Sequence, residues 1–119
     1  LASLALGTNS SAMTAIGNDY GYENVFAREI QAIATPADVI IAITTSGNSG
    51  NILKALEAAE VANVPAVVLT GAGRGMLDDV TETLNIPSTD TARIQECHIL
   101  IGHILCGIVE ENMFRNLKP

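Results

Sequence analysis

The densest set of groups able to do chemistry is Thr44-Thr45-Ser46-Gly47-Asn48-Ser49, with four hydroxyls in one short stretch. It follows the apolar run Val39-Ile40-Ile41-Ala42-Ile43 directly and precedes an amphipathic stretch that starts at Asn51. A strand end, a hydroxyl-rich turn and a helix start bring O–H groups, free backbone N–H groups and the positive end of a helix to one point, which is what a phosphate needs. Gly47 lets the backbone approach closely. No Lys follows, so this is not a nucleoside-triphosphate loop. A phosphomonoester on a sugar fits better. A helix cap with an ordinary turn is the plainer alternative, and four hydroxyls at one strand end favour phosphate over it.

The second group lies on the apolar stretch from Thr91 to Met113. His98 and His103 are five residues apart on a predicted helix, about 500° of rotation, so they point about 140° apart and cannot make one two-histidine site. His103 stands beside Ile101, Gly102 and Ile104. A polar ring there needs a partner or a task. A packed core or interface histidine is the alternative for His103, and it is the reading kept for His98. Gly71-Ala72-Gly73-Arg74-Gly75 lacks the spacing and the acidic residue of a dinucleotide fingerprint and reads as a flexible loop. Arg93 is expected to pair with Asp90 or Glu96, or to touch an anion. Tyr20, Tyr22, Cys97 and Cys106 read as packing residues.

These groups need elements to position them. Leu1–Leu6 reads as a buried strand, 12–16 as a short helix, 17–21 as a turn cluster and 23–34 as a helix ended by Thr35-Pro36. The run 39–43 reads as a strand buried on both faces. A helix over 51–62, stopped by Asn63, a strand over 65–69, a short helix or turn over 76–80, a strand over 82–86 and the helix 91–113 complete the pattern. Strands alternating with helices predict an α/β domain, a three-layer αβα sandwich around a mainly parallel sheet. Ligands in such folds bind beyond the carboxyl ends of the strands. The loops 7–10, 44–50 and 70–75 fall on that edge.

The chain has 119 residues and 12.4 kDa, which fits a single domain over 1–119. Hydrophobic residues make up 48% and mean hydropathy is +0.32, enough to build a core, with aromatics at only 3%. Six cations against 13 acids give a net charge of −7, and the cations form no stripe, which argues against nucleic-acid binding. Two cysteines nine apart in one predicted helix, roughly 13 Å along its axis, cannot be bridged. Reduced thiols without an export signal fit the cytoplasm. No uninterrupted apolar run reaches the roughly 18 residues of a bilayer span, so no membrane partner is expected. The chain opens inside an apolar run without Met and reads as lacking its N-terminal part.

The stretch Thr44–Asn51 resembles the phosphate loop of the sugar isomerase (SIS) domain family. Three further segments resemble the branch of that family that isomerises sedoheptulose 7-phosphate: Ala15-Ile16-Gly17-Asn18-Asp19-Tyr20-Gly21-Tyr22, Val67-Val68-Leu69-Thr70-Gly71, and Ala92-Arg93-Ile94-Gln95-Glu96-Cys97-His98-Ile99 through His103. The resemblance implies a SIS, flavodoxin-like fold. It also implies conversion of sedoheptulose 7-phosphate to D-glycero-D-manno-heptose 7-phosphate, which feeds heptose for lipopolysaccharide or surface glycan. It gives Asn18, Asp19, Thr44, Thr45, Ser46, Ser49 and Gln95 as substrate-binding and His103 as catalytic. Gln95 and His103 are implied ligands of one zinc ion per subunit. The other ligands, a His and a Glu that also acts as base, are expected upstream of Leu1. Gln95 and His103 are eight residues apart, roughly 12 Å of helix axis, so on one straight helix they would struggle to reach the same ion with bonds of about 2 Å. Either the helix starts irregularly or the two serve sites in different subunits. The second is preferred, giving intersubunit active sites in a homotetramer. The alternatives are a binding protein of the type that associates with the replication initiator, or a sugar-phosphate sensor. The replication-associated type lacks the equivalent of His103 and carries Arg in the hydroxyl loop, where this chain has Ser46.

Overall fold

Three parallel strands form the frame from which the hydroxyl loop projects. The computed structural model describes residues 1–73, 75–77 and 82–115. The elements run α1 (Ser10–Tyr20), a 3₁₀ turn (Tyr22–Asn24), α2 (Val25–Ile33), β1 (Ile40–Ile43), α3 (Gly50–Val61), β2 (Ala66–Thr70), β3 (Glu82–Asn85) and α4 (Thr91–Phe114). The sheet order is β1-β2-β3, with Ile41 opposite Val67 and Leu69 opposite Leu84. The α/β class with a parallel sheet is as expected.

Side-chain alternation assigns the two sheet faces. Ala42 and Val68 turn to one face and meet Leu77 and the Ile52, Leu53 and Leu56 side chains of α3. Behind α3 lies α2, joined through Ala27, Ile30, Ala55 and Ala58, with Leu6, Phe26, Ala34 and Ile40 at the margin. Small alanines on both helices allow this close approach. The other face is open at β1, where Ile41 and Ile43 are 52% and 56% exposed. The sequence pattern called for cover on both faces, and the described residues cover β1 on the α3 side alone.

Helix ends follow local chemistry. Asn9 caps α1 with Oδ1 accepting from Ser11 and Ala12, and Asp90 caps α4 by accepting from Ala92. Asn63, with φ of 55°, ends α3 as expected, while the Val64 N–H donates back to Ala59 O.

Several expectations change. Leu1–Leu6 is not a strand and is largely exposed, because a strand exists only through a ladder and this run has no ladder partner among the described residues. Instead Gly7 N donates to Glu29 Oε2 at 2.6 Å, tying the end of this run to α2. The helix expected over 12–16 starts at Ser10 and continues to Tyr20, so Asn18 and Asp19 are helical and only Gly21, at φ 87°, breaks the chain. Gly17 is simply tolerated inside the helix. The turn or helix expected over 76–80 falls partly outside the described residues. Tyr20, Tyr22 and Cys106 are exposed, not packed, although the Tyr20 ring lies 4.4 Å from the Arg28 guanidinium carbon. Finally, α4 has 24 residues and is long and apolar enough by composition to cross a membrane, because His98, Gly102 and His103 interrupt its apolar run without ending the helix.

Candidate functional site

The site grows from the end of β1. Thr44 is buried, and its N–H still joins β2 by donating to Leu69 O. Its Oγ1 accepts from Gly47 N at 3.2 Å and lies 3.4 Å from Ser49 Oγ. Thr44 therefore faces inward and holds the loop as a closed turn, which Gly47 completes at φ 69°. Ser46 Oγ accepts from Asn48 N at 3.2 Å. Ser49 is the N-cap residue of α3, yet its side chain makes no capping hydrogen bond to the helix. In α1 and α4 the corresponding side chain is used for that purpose. The start of α3 thus keeps the Ser49 hydroxyl free of its own helix at the positive helix end, while the Ile52 N–H of the first turn donates to Asn51 Oδ1 at 3.0 Å.

A cleft of about 240 Å³ opens beside this loop, lined by Thr45, Ser46, Ala72, Gly73, Ser88, Thr89, Thr91 and Ile94. Two expected phosphate residues, Thr45 and Ser46, are in its wall. Ser88, Thr89 and Thr91 were not singled out from the sequence. The signal is present in the sequence as another hydroxyl cluster directly before a predicted helix. The glycine-rich segment also has a more definite role than a flexible loop. Gly71 N donates to Thr45 O, Ala72 N to Ser88 O and Met76 N to Gly47 O, so this segment braces the hydroxyl loop from behind. Arg74 lies outside the described residues.

The remaining expected residues are distributed around this centre. Asn18 and Asp19 occupy the last turn of α1, where Asn18 Nδ2 donates to Asp19 Oδ1 at 2.7 Å. They do not line the cleft. The turn that follows them brings Glu23 against the start of α3 at Gly50. Gln95 and His103 are both exposed on α4. That helix is regular from Thr91 to Phe114, which removes the irregular-start alternative. Their backbone positions lie roughly 12 Å apart along the helix axis. Among the described residues no group of three or more His, Cys, Asp or Glu is placed to hold a metal. The residues of this chain therefore do not by themselves fit a zinc ion. Arg93 pairs with Glu96 on the exposed side of α4, as one of the sequence alternatives had it.

Charge perturbation lies elsewhere. The carboxyl of Asp38 is held below its ordinary range by the N–H and hydroxyl of Thr35, and Lys54 is raised by its bond to Glu57. Both are exposed and support turns and helix faces.

A parallel α/β sheet with a hydroxyl loop at the carboxyl end of its first strand is matched by a family model: residues 1–71 fit the SIS domain, and the chain belongs to that family. Within it, the chain is 55% identical over 115 residues to phosphoheptose isomerase 2 of Campylobacter jejuni, covering 96% of this chain and 57% of that protein. It is 53% identical over 117 residues to the phosphoheptose isomerase of Aneurinibacillus thermoaerophilus, covering 98% and 59%. The solved phosphoheptose isomerase GmhA from Neisseria gonorrhoeae superposes with a TM-score of 0.86 at 45% identity, over 92% of this chain and 62% of that one. A phosphoheptose isomerase from Francisella tularensis gives 0.87 at 38% identity, over 91% and 59%. The chain thus spans about three fifths of the length of these relatives.

Proposed function

We propose that this chain forms the sugar-phosphate-binding part of an aldose–ketose isomerase that interconverts sedoheptulose 7-phosphate and D-glycero-D-manno-heptose 7-phosphate. The observation that carries the reading is the uncapped start of α3 at Ser49, next to a cleft lined by Thr45 and Ser46. A phosphate oxygen takes the position of the absent cap, receiving backbone N–H groups and the Ser46 and Ser49 hydroxyls. Thr44 supports the turn from behind. Asn18, Asp19 and Gln95 are assigned to the sugar hydroxyls. The names carried by relatives at about 50% identity support the substrate class.

His103 is the proposed proton carrier, a neutral imidazole suited to moving a proton at the ring oxygen during ring opening. It lies nine residues beyond Ile94, roughly 13 Å along α4 from the cleft in the same chain. In this reading His103 serves the cleft of a neighbouring copy, which the distance favours. Self-association, as a homotetramer with shared sites, covers the apolar side of α4 in this reading. Isomerisation also moves a proton from C1 to C2 through an enediol, and the carboxylate base belongs to the part of the relatives' length that this chain does not span. Zinc stays a proposal for the full-length protein, with Gln95 and His103 each giving one donor alongside donors from other segments. Residence in the cytoplasm goes with the free thiols.

The test is turnover of sedoheptulose 7-phosphate by the full-length protein, followed through heptose 7-phosphate formation. Production of the aldose supports the reading. Tight binding without turnover turns it towards a sensor, and no binding of either sugar phosphate overturns it. Metal content of the purified protein, compared with His103→Ala and Gln95→Ala, tests zinc separately.

A further inference from the structure

Two side chains of α4, Ile94 and His98, are buried, four residues apart and so on one face of the helix. Both close on a single dipeptide at the end of β2. Ile94 Cδ1 lies over Gly71, so close that a β-carbon there would meet it at 2.6 Å. The His98 ring is 4% exposed, and its Nε2 lies 3.4 Å from the carbonyl oxygen of Thr70, which also accepts the Ile86 N–H at 2.9 Å. The next two residues carry the cleft, since Gly71 N bonds the Thr45 carbonyl and Ala72 N bonds the Ser88 carbonyl. Thr70-Gly71 is thus the joint between the hydroxyl loop, the connection into α4 and α4 itself.

Packing alone does not account for a histidine here. Among the described residues its buried Nδ1 has no hydrogen-bond partner, nor has Thr70 Oγ1. An orphaned buried nitrogen is destabilising, and an apolar side chain of similar volume would avoid it. What the imidazole supplies and the apolar side chain lacks is a directed N–H. A carbonyl oxygen only accepts, so the contact requires the proton on Nε2.

We propose that His98 is a positioning residue for the sugar-phosphate site. Its Nε2–H, aimed at the Thr70 carbonyl, fixes the rotation of the first turns of α4. That rotation sets where Thr91 stands in the cleft wall and where Gln95 is presented. The kinetic part of the inference rests on the isomerase reading, and its structural part does not.

The experiment uses the full-length protein with His98→Leu, which keeps apolar bulk, and His98→Gln, which returns a side-chain N–H donor of similar reach. His98→Leu is expected to raise KM for sedoheptulose 7-phosphate about tenfold and to speed amide exchange over residues 86–97 by a similar factor, with His98→Gln bringing both back to within about threefold of wild type. Wild-type KM together with wild-type exchange in His98→Leu overturns the proposal. Equal damage in both variants overturns it too, since only shape would then matter. If the wild-type protein does not turn over the sugar phosphate, the isomerase reading fails by itself and the exchange comparison alone decides the role of His98. If His98→Leu does not fold, ring-nitrogen NMR of the wild-type protein decides: the Nε2–H tautomer supports the assignment and the Nδ1–H tautomer overturns it.

Discussion

Gly71 and Ile94 fit together only because residue 71 has no side chain: a β-carbon there would lie 2.6 Å from Ile94 Cδ1 and 2.6 Å from the Thr45 carbonyl oxygen. The first contact could yield by a rotamer change. The second is with backbone and could not. Gly71→Ala must therefore separate β2 from the hydroxyl loop or push α4 outward. The expected loss is about 1–3 kcal/mol of stability, the usual range for overpacking, together with weakened sugar-phosphate binding. Urea unfolding and phosphate protection of the full-length protein measure the two effects. Gly73→Ala is the control for the stability effect alone, since Gly73 lines the cleft but nothing among the described residues lies within 4 Å of its β-carbon position.

The same joint explains what the sequence revealed and what it hid. The strand 39–43 followed by hydroxyls and a helix was legible because its signals are local: β-branched residues, then Gly47, then helical spacing. The bracing of that loop by Gly71 and Met76 was not, because it consists of backbone hydrogen bonds such as Met76 N to Gly47 O, which no side-chain type announces. The apolarity of Leu1–Leu6 predicts a buried strand, but apolarity supplies neither a ladder partner nor cover, and the run is largely exposed. The structural reading of His98 was right about burial and could not reveal the Thr70 carbonyl, which is 28 residues away in sequence. Asn18 and Asp19 were read into a turn because Gly17 and Gly21 flank them, and only Gly21 takes a positive φ.

Ser49 tests the anion reading most directly. Its hydroxyl forms no cap, so removing it takes nothing from α3 in the free protein beyond the 3.4 Å contact with Thr44. Ser49→Ala is expected to leave thermal stability nearly unchanged while weakening sugar-phosphate binding by about 1–2 kcal/mol, a factor of roughly 5 to 30. Isothermal titration separates this from a structural defect. Unchanged affinity would move the phosphate away from the helix start.

Asp90 should behave in the opposite manner. Its Oδ1 accepts from Ala92 N at 2.9 Å and so caps α4. Asp90→Ala is expected to cost about 1 kcal/mol of stability. Because Thr89 and Thr91 flank it in the cleft wall, substrate affinity should fall with it. Asp90→Ser, which keeps a capping oxygen, should recover most of both.

Asp38 gives a pH dependence with a definite sign. Its carboxylate accepts from Thr35 N at 2.8 Å and from Thr35 Oγ1 at 2.9 Å, and these bonds hold its pKa below the ordinary value. A carboxyl depressed in the folded state adds stability that is present above its unfolded pKa and is lost as pH falls through the folded one. Wild-type protein should therefore lose part of its advantage over Asp38→Asn as the medium is acidified through the carboxylate range. Melting curves of both proteins from neutral to acid pH show whether the gap narrows. A gap that stays constant would remove the charge from the account of the 35–38 turn.

Shared sites make a prediction that single substitutions cannot. If His103 served the cleft of its own chain, His103→Ala and Ser49→Ala would each impair only the sites that carry them, and mixing the two variants would give no more than the average of the parents. Under the proposal of shared sites, with about 13 Å of α4 between the cleft at Ile94 and His103, each site would take its hydroxyl loop from one copy and its imidazole from another. In a co-expressed mixture, some sites then combine an intact loop with an intact His103, and others carry both lesions. His103→Ala alone is expected to lower turnover by about 10²–10⁴-fold, the usual contribution of a general acid or base, with an unchanged melting temperature, since the ring is exposed. At substrate well below KM, the purified mixed oligomer should turn over faster than either parent. A mixture no better than the more active parent would return His103 to its own chain, and the helix would then have to bend between Gly102 and Ile94 to bring the ring home.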